Sequence, residues 1–457
     1  MKFRLLGALL LIHIKVLAQY PHPVHPPLEN KPADSSELKD EGEDHMHMHM
    51  EHDMQMPGHS LSQNLPMNRN GSGTSWNPDA SPMYMLSWPG HKWSFMAHGN
   101  LFIRYNKQDV SGKGSRGNEK WDVPNMFMGM AQRKIGAKGL LQFNGMFSLD
   151  ALFTGEEGYP LLFQTGETAH GQPLVDRQHP HDLFAELSVS YAYSFNKSSD
   201  IYAYFGYPGE PALGATTFMH RPSGWDNPDA PLSHHWVDAT HITFGVATLG
   251  YRLGKFKLEG SLFTGREPDE NRYDFDQAKF DSRSGRLWFN PNKNWSMQVS
   301  HGFIKSPEAL HPDEDIYRTT ASASNSTVLG AEQFLNITAL WGMNKQKDHD
   351  GENAALLEAA YRMKRLVTYM RYEWVQKSVE ELNLDESVYG HDVLFPVNAF
   401  TLGAGYDLLR LKNVRSSLGT QFSVYHADEK LNSLYGKNPL AWEIYLRFYP
   451  ALMEHKM

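Results

Sequence analysis

The amino-acid sequence predicts an all-β fold: a transmembrane antiparallel β-barrel of about sixteen strands, preceded by a disordered N-terminal tail. Three observations carry that reading. From Lys92 onward the chain alternates apolar and polar residues over segments of about ten to fourteen, the length a tilted membrane strand needs. Short turns and long polar connections follow these segments in turn. No uninterrupted apolar run has helix-spanning length, and the mean hydropathy is -0.52, so helices do not carry the chain across a membrane.

The opening MKFRLLGALLLIHIKVLAQ places Lys2 and Arg4 before an apolar run over 5–12, then Val16 and Ala18 ahead of a cut at Gln19. That is the layout of a secretory signal peptide over residues 1–18, with a core too short to anchor. Residues 19–91 read as a disordered, Met/His-rich periplasmic tail and linker. Both flanks of the tract are rich in Pro, Ser, Asn, Asp and charge, and bury too little apolar surface to offset their ordering entropy. The barrel is expected over 92–450, with a short C-terminal tail over 451–457. The chain contains no cysteine, which excludes thiol lipidation, disulfides and thiolate metal sites.

Along KWSFMAHGNLFIRY, Phe95, Ala97, Leu101, Ile103 and Tyr105 share one face, and Met96, His98, Asn100 and Arg104 the other. LLQFNGMFSLDALF, LFAELSVSYAYSF and the closing PLAWEIYLRFYP alternate in the same way. Short turns fall at 135–138, 196–199, 254–255, 290–294, 363–365 and 410–413; long polar segments fall at 106–123, 154–182, 208–240, 267–282, 378–395 and 427–438. The MKR turn at 363–365 lands on the wrong side unless 305–331 conceals a further strand, read at 316–324. With it the strands run up and down in even number, both ends periplasmic, in the outer membrane of a Gram-negative bacterium. A soluble β-sandwich or propeller would use shorter strands and has no reason to alternate its connections. A net charge of -9 offers no footprint for nucleic acid.

The tract DHMHMHMEHDMQMPGH, residues 44–59, is a string of metal ligands: His45, Met46, His47, Met48, His49, Met50, His52, Met54, Met56 and His59. Thioether sulfur favours Cu(I), and imidazole suits Cu(II), Ni(II) and Zn(II). Copper is the expected ion, with zinc or nickel as alternatives that would explain the histidines but not the methionines.

A secretory signal, this tract and an outer-membrane barrel together resemble the copper resistance protein B family. The resemblance implies copper tolerance through sequestration or passage. Metal ions and outer-membrane lipid are the expected partners, with periplasmic copper proteins as a further candidate. It covers the tract and the layout; the tract is one block where that family has repeats, and no barrel residue is carried over.

Two further ligand sets lie in the barrel. AHGQPLVDRQHPHD supplies His170, His179 and His181 with Asp176 and Asp182; FMHRPSGWDNPDAPLSHHWVDATH supplies Met219, His220, His234, His235, Asp238 and His241. Two loops folding over one mouth would bring them together as a capture site. Met126, Met128 and Met130 share a face by period two; because both faces are apolar there, ordinary lipid contact is the expectation. The lumen would then be lined by Met96, His98 and Glu186. No enzyme motif is present, and Gly-x-Ser-x-Gly is absent. The alternatives to copper handling are a general porin or organic-solute channel, and an outer-membrane hydrolase.

Overall fold

Alternation decides where each side chain points, and Val246–Leu253 displays it fully. Val246, Thr248, Gly250 and Arg252 are buried, while Ala247, Leu249, Tyr251 and Leu253 are exposed. In a computed structural model describing residues 58–347 and 350–453, this pattern closes into a barrel. The signal peptide and the tract through Met56 lie outside the described residues.

The first eight strands are β1 (Ser94–Lys107), β2 (Asn125–Ile135), β3 (Gly139–Phe147), β4 (Phe184–Asn196), β5 (Ser199–Gly206), β6 (Val246–Leu253), β7 (Phe256–Phe263) and β8 (Ser282–Phe289). The rest are β9 (Trp295–Ile304), β10 (Ile316–Gly330), β11 (Gln333–Lys345), β12 (Glu352–Met363), β13 (Leu366–Ser378), β14 (Leu394–Arg410), β15 (Val414–His426) and β16 (Leu440–Pro450). Every neighbour is antiparallel, and β1 closes the sheet on β16 from Leu101↔Phe448 to Lys107↔Trp442. A short piece, Glu119–Asp122, continues β2 along β1; Pro124 has no N–H to give, and its carbonyl accepts from Phe102 N at 2.9 Å.

The strand expected at 316–324 exists as β10 and runs on to Gly330. The MKR turn joins β12 to β13 at the end of the barrel that carries the short turns, as an even count requires. Outside, Leu249, Leu258 and Leu262 are each more than half exposed, and aromatic side chains such as Tyr251 and Trp295 join them. A closed, even-stranded sheet with an apolar outer surface is an outer-membrane β-barrel that sits in lipid.

The interior is packed rather than open. Gly403 and Gly419 face the rings of Tyr369 and Tyr445; a Cβ on either would lie within 2.3 Å of ring atoms. Arg104, Arg221, Arg286 and Arg447 are fully buried. Two segments fill the space between these walls.

The first corrects the expected boundary at Lys92. From Gly58 the chain lies inside the short-turn end, because its polar groups find partners there. Gln63 Nε2 donates to Ala137 O at 2.6 Å, Asn64 Nδ2 to Asn196 O at 3.2 Å, and Ala80 N to Lys293 O at 2.8 Å. Residues 58–91 are therefore not the disordered linker that their composition implied.

The second is the connection 207–245, which turns inward instead of capping the mouth. Its carboxylates find arginines on the wall: Asp226 pairs with Arg362 at 3.1 Å and with Arg447, Asp229 pairs with Arg104, and Glu358 on β12 pairs with the loop's own Arg221 at 2.5 Å. The two segments meet where Asn77 Nδ2 donates to His220 O at 3.2 Å and Thr216 Oγ1 donates to Ser75 Oγ at 3.0 Å. At the long-loop end an apolar cluster, including Leu161, Phe163, Trp236 and Val237, packs the connections on the wall.

Candidate metal centre in the lumen

Two long connections position the histidines. His179 and His181 flank Pro180 just before β4, after a two-residue strand, Arg177–Gln178, that pairs with Tyr159–Pro160. A one-turn helix, α1 (Asp150–Phe153), lies beneath them, and a second, α2 (His234–Val237), carries the next pair. α2 docks on β11 because Gly342 has no side chain; a Cβ there would lie 2.4 Å from Trp236 O. His241 follows α2 in a 3-10 turn.

These five imidazoles, all buried, come together inside the barrel. Ring centroids lie 5.3 Å apart for His235 and His234, 5.1 Å for His234 and His241, and 5.5 Å for His241 and His181. His179 stands beside the row, 5.9 Å from His235 and 6.2 Å from His181.

Four of the five have Nδ1 hydrogen-bonded. His181 Nδ1 lies 2.7 Å from Asp150 Oδ2, and His234 Nδ1 lies 2.5 Å from Asp238 Oδ1. Carbonyls hold the others: Asp238 O for His241 at 3.1 Å and Pro180 O for His179 at 3.2 Å. For His235, Glu267 lies 3.9 Å from Nδ1. The opposite nitrogen, Nε2, is buried without a hydrogen-bond partner in all five. His179 Nε2 does approach Glu167 Oε1 at 3.0 Å, but off the line of a hydrogen bond. Burial holds His179 well below the usual imidazole range and brings His235 down to about 4, so both are neutral, with a lone pair free, at pH 7.

The row extends at both ends. On the long-loop side His235 lines a vestibule of about 1010 Å³ with Glu167, Glu267, Glu308, Glu314 and Arg318. Burial and crowded carboxylates push Glu308 up to about 8 there. On the inner side His181 opens on a cavity of about 50 Å³ shared with Met126, Met219, His220 and His98. His98 and His220 continue into a chamber of about 120 Å³ walled by methionines. The donors thus form a path from imidazole to thioether, not one closed shell. Among the described residues, the only three carboxylate or imidazole ligand atoms within 4.8 Å of one another belong to Asp269, Asp274 and Asp276, two exposed and one half-buried, in the connection between β7 and β8.

The methionine row of β2 corrects the lipid-facing expectation. Met126 and Met130 are buried and Met128 half-buried, all facing the lumen, while Phe127, Gly129 and Ala131 take the outer face. Register fixes this: Met130 pairs with Met96 and Met128 with His98 across β1, and Met128 with Met146 across β3. Glu186 is buried in the lumen as expected.

Other expected ligands do not join the row. His170 sits exposed on a small hairpin, 3.8 Å from Glu156. His220 stands apart, its ring 5.9 Å from His98 and its Nε2 3.2 Å from Met146 Sδ. His59 lies at the short-turn end, its N–H donating to Gln132 Oε1 at 2.9 Å. His45, Met46, His47, Met48, His49, Met50, His52, Met54 and Met56 lie outside the described residues. The sequence reading missed the supporting carboxylates Asp150, Glu167 and Glu267, and the lumenal Met67, Met83, Met85, Met146 and Met453. Met146 had a signal, since period two on β3 puts it with Gln142 and Asn144.

No protein-family model and no curated protein matches the chain. Among solved structures it is similar to OmpF of Salmonella typhi in complex with daunomycin, at 10% identity over 80% of this chain and 100% of that one, TM-score 0.49. It is also similar to an anion-selective porin from Comamonas acidovorans (10% identity, 79% and 99% covered, TM-score 0.47) and to outer-membrane OmpT of Vibrio cholerae (8%, 80% and 100%, 0.44).

Proposed function

We propose that this barrel binds copper and holds or passes it along the lumen. The observation that carries the reading is the set of five buried Nε2 atoms without hydrogen-bond partners. Each such group costs about 1–3 kcal/mol, and a metal ion handed from one imidazole to the next is a ligand that each of them accepts. An imidazole whose other nitrogen is held by a carboxylate or carbonyl is oriented and made more basic for a metal. Imidazole accepts Cu(II), Zn(II) and Ni(II); the methionines further along favour copper.

In barrels of this kind short turns are periplasmic. The vestibule then faces outward and Gly58 lies at the inner end; a tract of many weak ligands tethered ahead of it in the sequence raises the local ion concentration. Periplasmic copper proteins are the natural exchange partners there.

The general-porin reading is favoured by the sixteen-stranded barrel and its wide vestibule. Against it stands a lumen occupied by 58–91 and 207–245, which leaves room for ions rather than solutes. A hydrolase needs a nucleophile hydrogen-bonded to its base, and no hydroxyl reaches any of the five Nε2 atoms among the described residues.

The test uses the full chain with His45, His47, His49 and His52 changed to alanine, so that the tract does not mask the lumen. Cu(II) should give an electron paramagnetic resonance spectrum with imidazole nitrogen coupling that disappears in His234→Ala/His241→Ala. Asp238→Asn should weaken binding by about 10–100-fold, because the carboxylate only orients His234. An unchanged signal in the double variant, with pore conductance indifferent to copper, would leave the general porin as the better account.

A further inference from the structure

We propose a second site in the lumen, specific for a soft monovalent ion, Cu(I) or Ag(I), in the chamber walled by Met67, Met83, Met85, Met96, Met128 and Met130. It rests on the copper reading but stands on different side chains.

Composition is the first ground. The apolar cluster against this chamber, one of several at this end, consists of seven residues, and all seven are methionine. The cluster at the long-loop end has 21 buried members and no methionine. Leucine, valine and phenylalanine fill space at least as well, and a packing requirement alone would not exclude them from every position. Nor is this a local bias of one segment. The sulfurs come from the inserted N-terminal segment, from β1, from β2 and, through Met453, from the far end of the chain. With Met126, Met146 and Met219 alongside, ten of the chain's 21 methionines gather here.

Charge is the second ground. The cavity of about 120 Å³ has one acidic and one basic residue in its wall, Asp226 and Arg362, and they pair with each other at 3.1 Å. A divalent ion would enter without a counter-charge. A monovalent d10 ion needs only neutral, polarisable donors, which thioethers supply.

Geometry is the third. His98 Nδ1 lies 2.7 Å from Tyr84 O, which fixes the ring and leaves Nε2 to the lumen. His220 Nε2 and Met146 Sδ, 3.2 Å apart, form a mixed nitrogen–sulfur step towards the imidazole row. At the other end, a Cβ on Gly58 would lie 3.0 Å from Met96 Sδ. Gly58, the first described residue, therefore borders this chamber, and Met56 precedes it by two positions in the sequence. The donors are sorted along the barrel, imidazole towards the vestibule and thioether towards the inserted segment that starts at Gly58.

The probe is Ag(I), redox-inert, titrated into the full chain with Met46, Met48, Met50, Met54 and Met56 changed to serine. One tight Ag(I) site should remain. Met96→Leu/Met128→Leu/Met130→Leu should weaken it on the order of 100-fold while Cu(II) binding persists, and His234→Ala/His241→Ala should do the reverse. Because the triple change touches two strands, Met83→Leu/Met85→Leu, outside the barrel strands, gives an independent arm with the same expectation. Unchanged Ag(I) affinity in both leucine variants would overturn the site and leave the copper reading standing. Binding of neither ion by the parent chain would overturn both.

Discussion

Asp238 shows how much of the site one residue organises. Its Oδ1 meets His234, its carbonyl meets His241, and its Oδ2 accepts from Arg221 Nη1 at 2.9 Å and Phe218 N at 3.1 Å. Against the upward push of burial, His234 first and Arg221 after it draw the carboxyl down to about 2, so it stays ionised. The imidazoles respond oppositely. His235 is lowered from 6.5 to about 4, so folded protein binds fewer protons here than unfolded protein between those values. Its contribution to stability is complete above about 6.5 and is lost as pH falls towards 4. A solvated imidazole in a short peptide titrates near 6.5. Lowering the pH from 7 to 5 should therefore strip Cu(II) from a peptide of residues 41–60 while the lumenal site, in the chain without tract histidines, retains most of it. Titration of both by the Cu(II) d–d band checks this, and parallel loss would mean that burial does not protect the lumenal imidazoles. His-Pro-His-Asp and His-His were legible as ligand pairs from spacing. Their carboxylate partners were not, because Asp150 is 31 residues from His181 and meets it only after α1 and β4 are in place.

At the scale of elements, period two told the two faces of β2 apart but not which was inner. Phe127 and Ala131 are as apolar as Met126 and Met130, so the decision came from pairing with β1, whose inner face carries Arg104 and Asn106. The inward turn of 207–245 was likewise hidden, since its acidic residues read as a solvated loop until arginines on distant strands claim them. Arg362 is the clearest such clamp, linking Asp226 of the loop at 3.1 Å to Asp407 of β14 at 3.2 Å, with Arg447 on the other side of Asp226. Arg362→Met should leave two buried carboxylates short of a partner, at a local cost of about 3–5 kcal/mol. The strands keep their ladders, so the barrel should still assemble while the loop loosens from the wall. Single-channel recording in planar bilayers should then find larger and more frequent openings than in the parent. Identical conductance would show that other contacts hold the loop.

For the molecule as a whole, strand count and connection lengths were readable because lipid and parity constrain them, whereas nothing in the composition of 58–91 announced an insert. Its apolar residues, such as Leu61, Leu65 and Trp76, are scattered without period among polar ones, and its only regular structure is a 3-10 turn, Met67–Arg69, and the short strand Leu86–Pro89. Order there comes from polar groups of the barrel wall that bond the segment: Arg286 Nη2 donates to Thr74 Oγ1 at 3.0 Å, Ser296 Oγ to Trp76 O at 3.1 Å, and Lys257 to Thr74 O. Two deletions therefore have different consequences. Removing 41–57 takes away ligands and no barrel contact among the described residues, so heat-modifiable migration should be unchanged while copper tolerance and cell-associated copper fall. Removing 58–85 as well should leave sixteen strands able to close but uncover buried Lys257 and Arg286 and empty the inner half of the lumen, giving a leaky pore with raised conductance. If the shorter deletion alone opens the pore, the tract is part of the insert. If it changes neither copper tolerance nor copper content, the inserted segment is simply a porin's plug, and the row of imidazoles above it must be explained without copper.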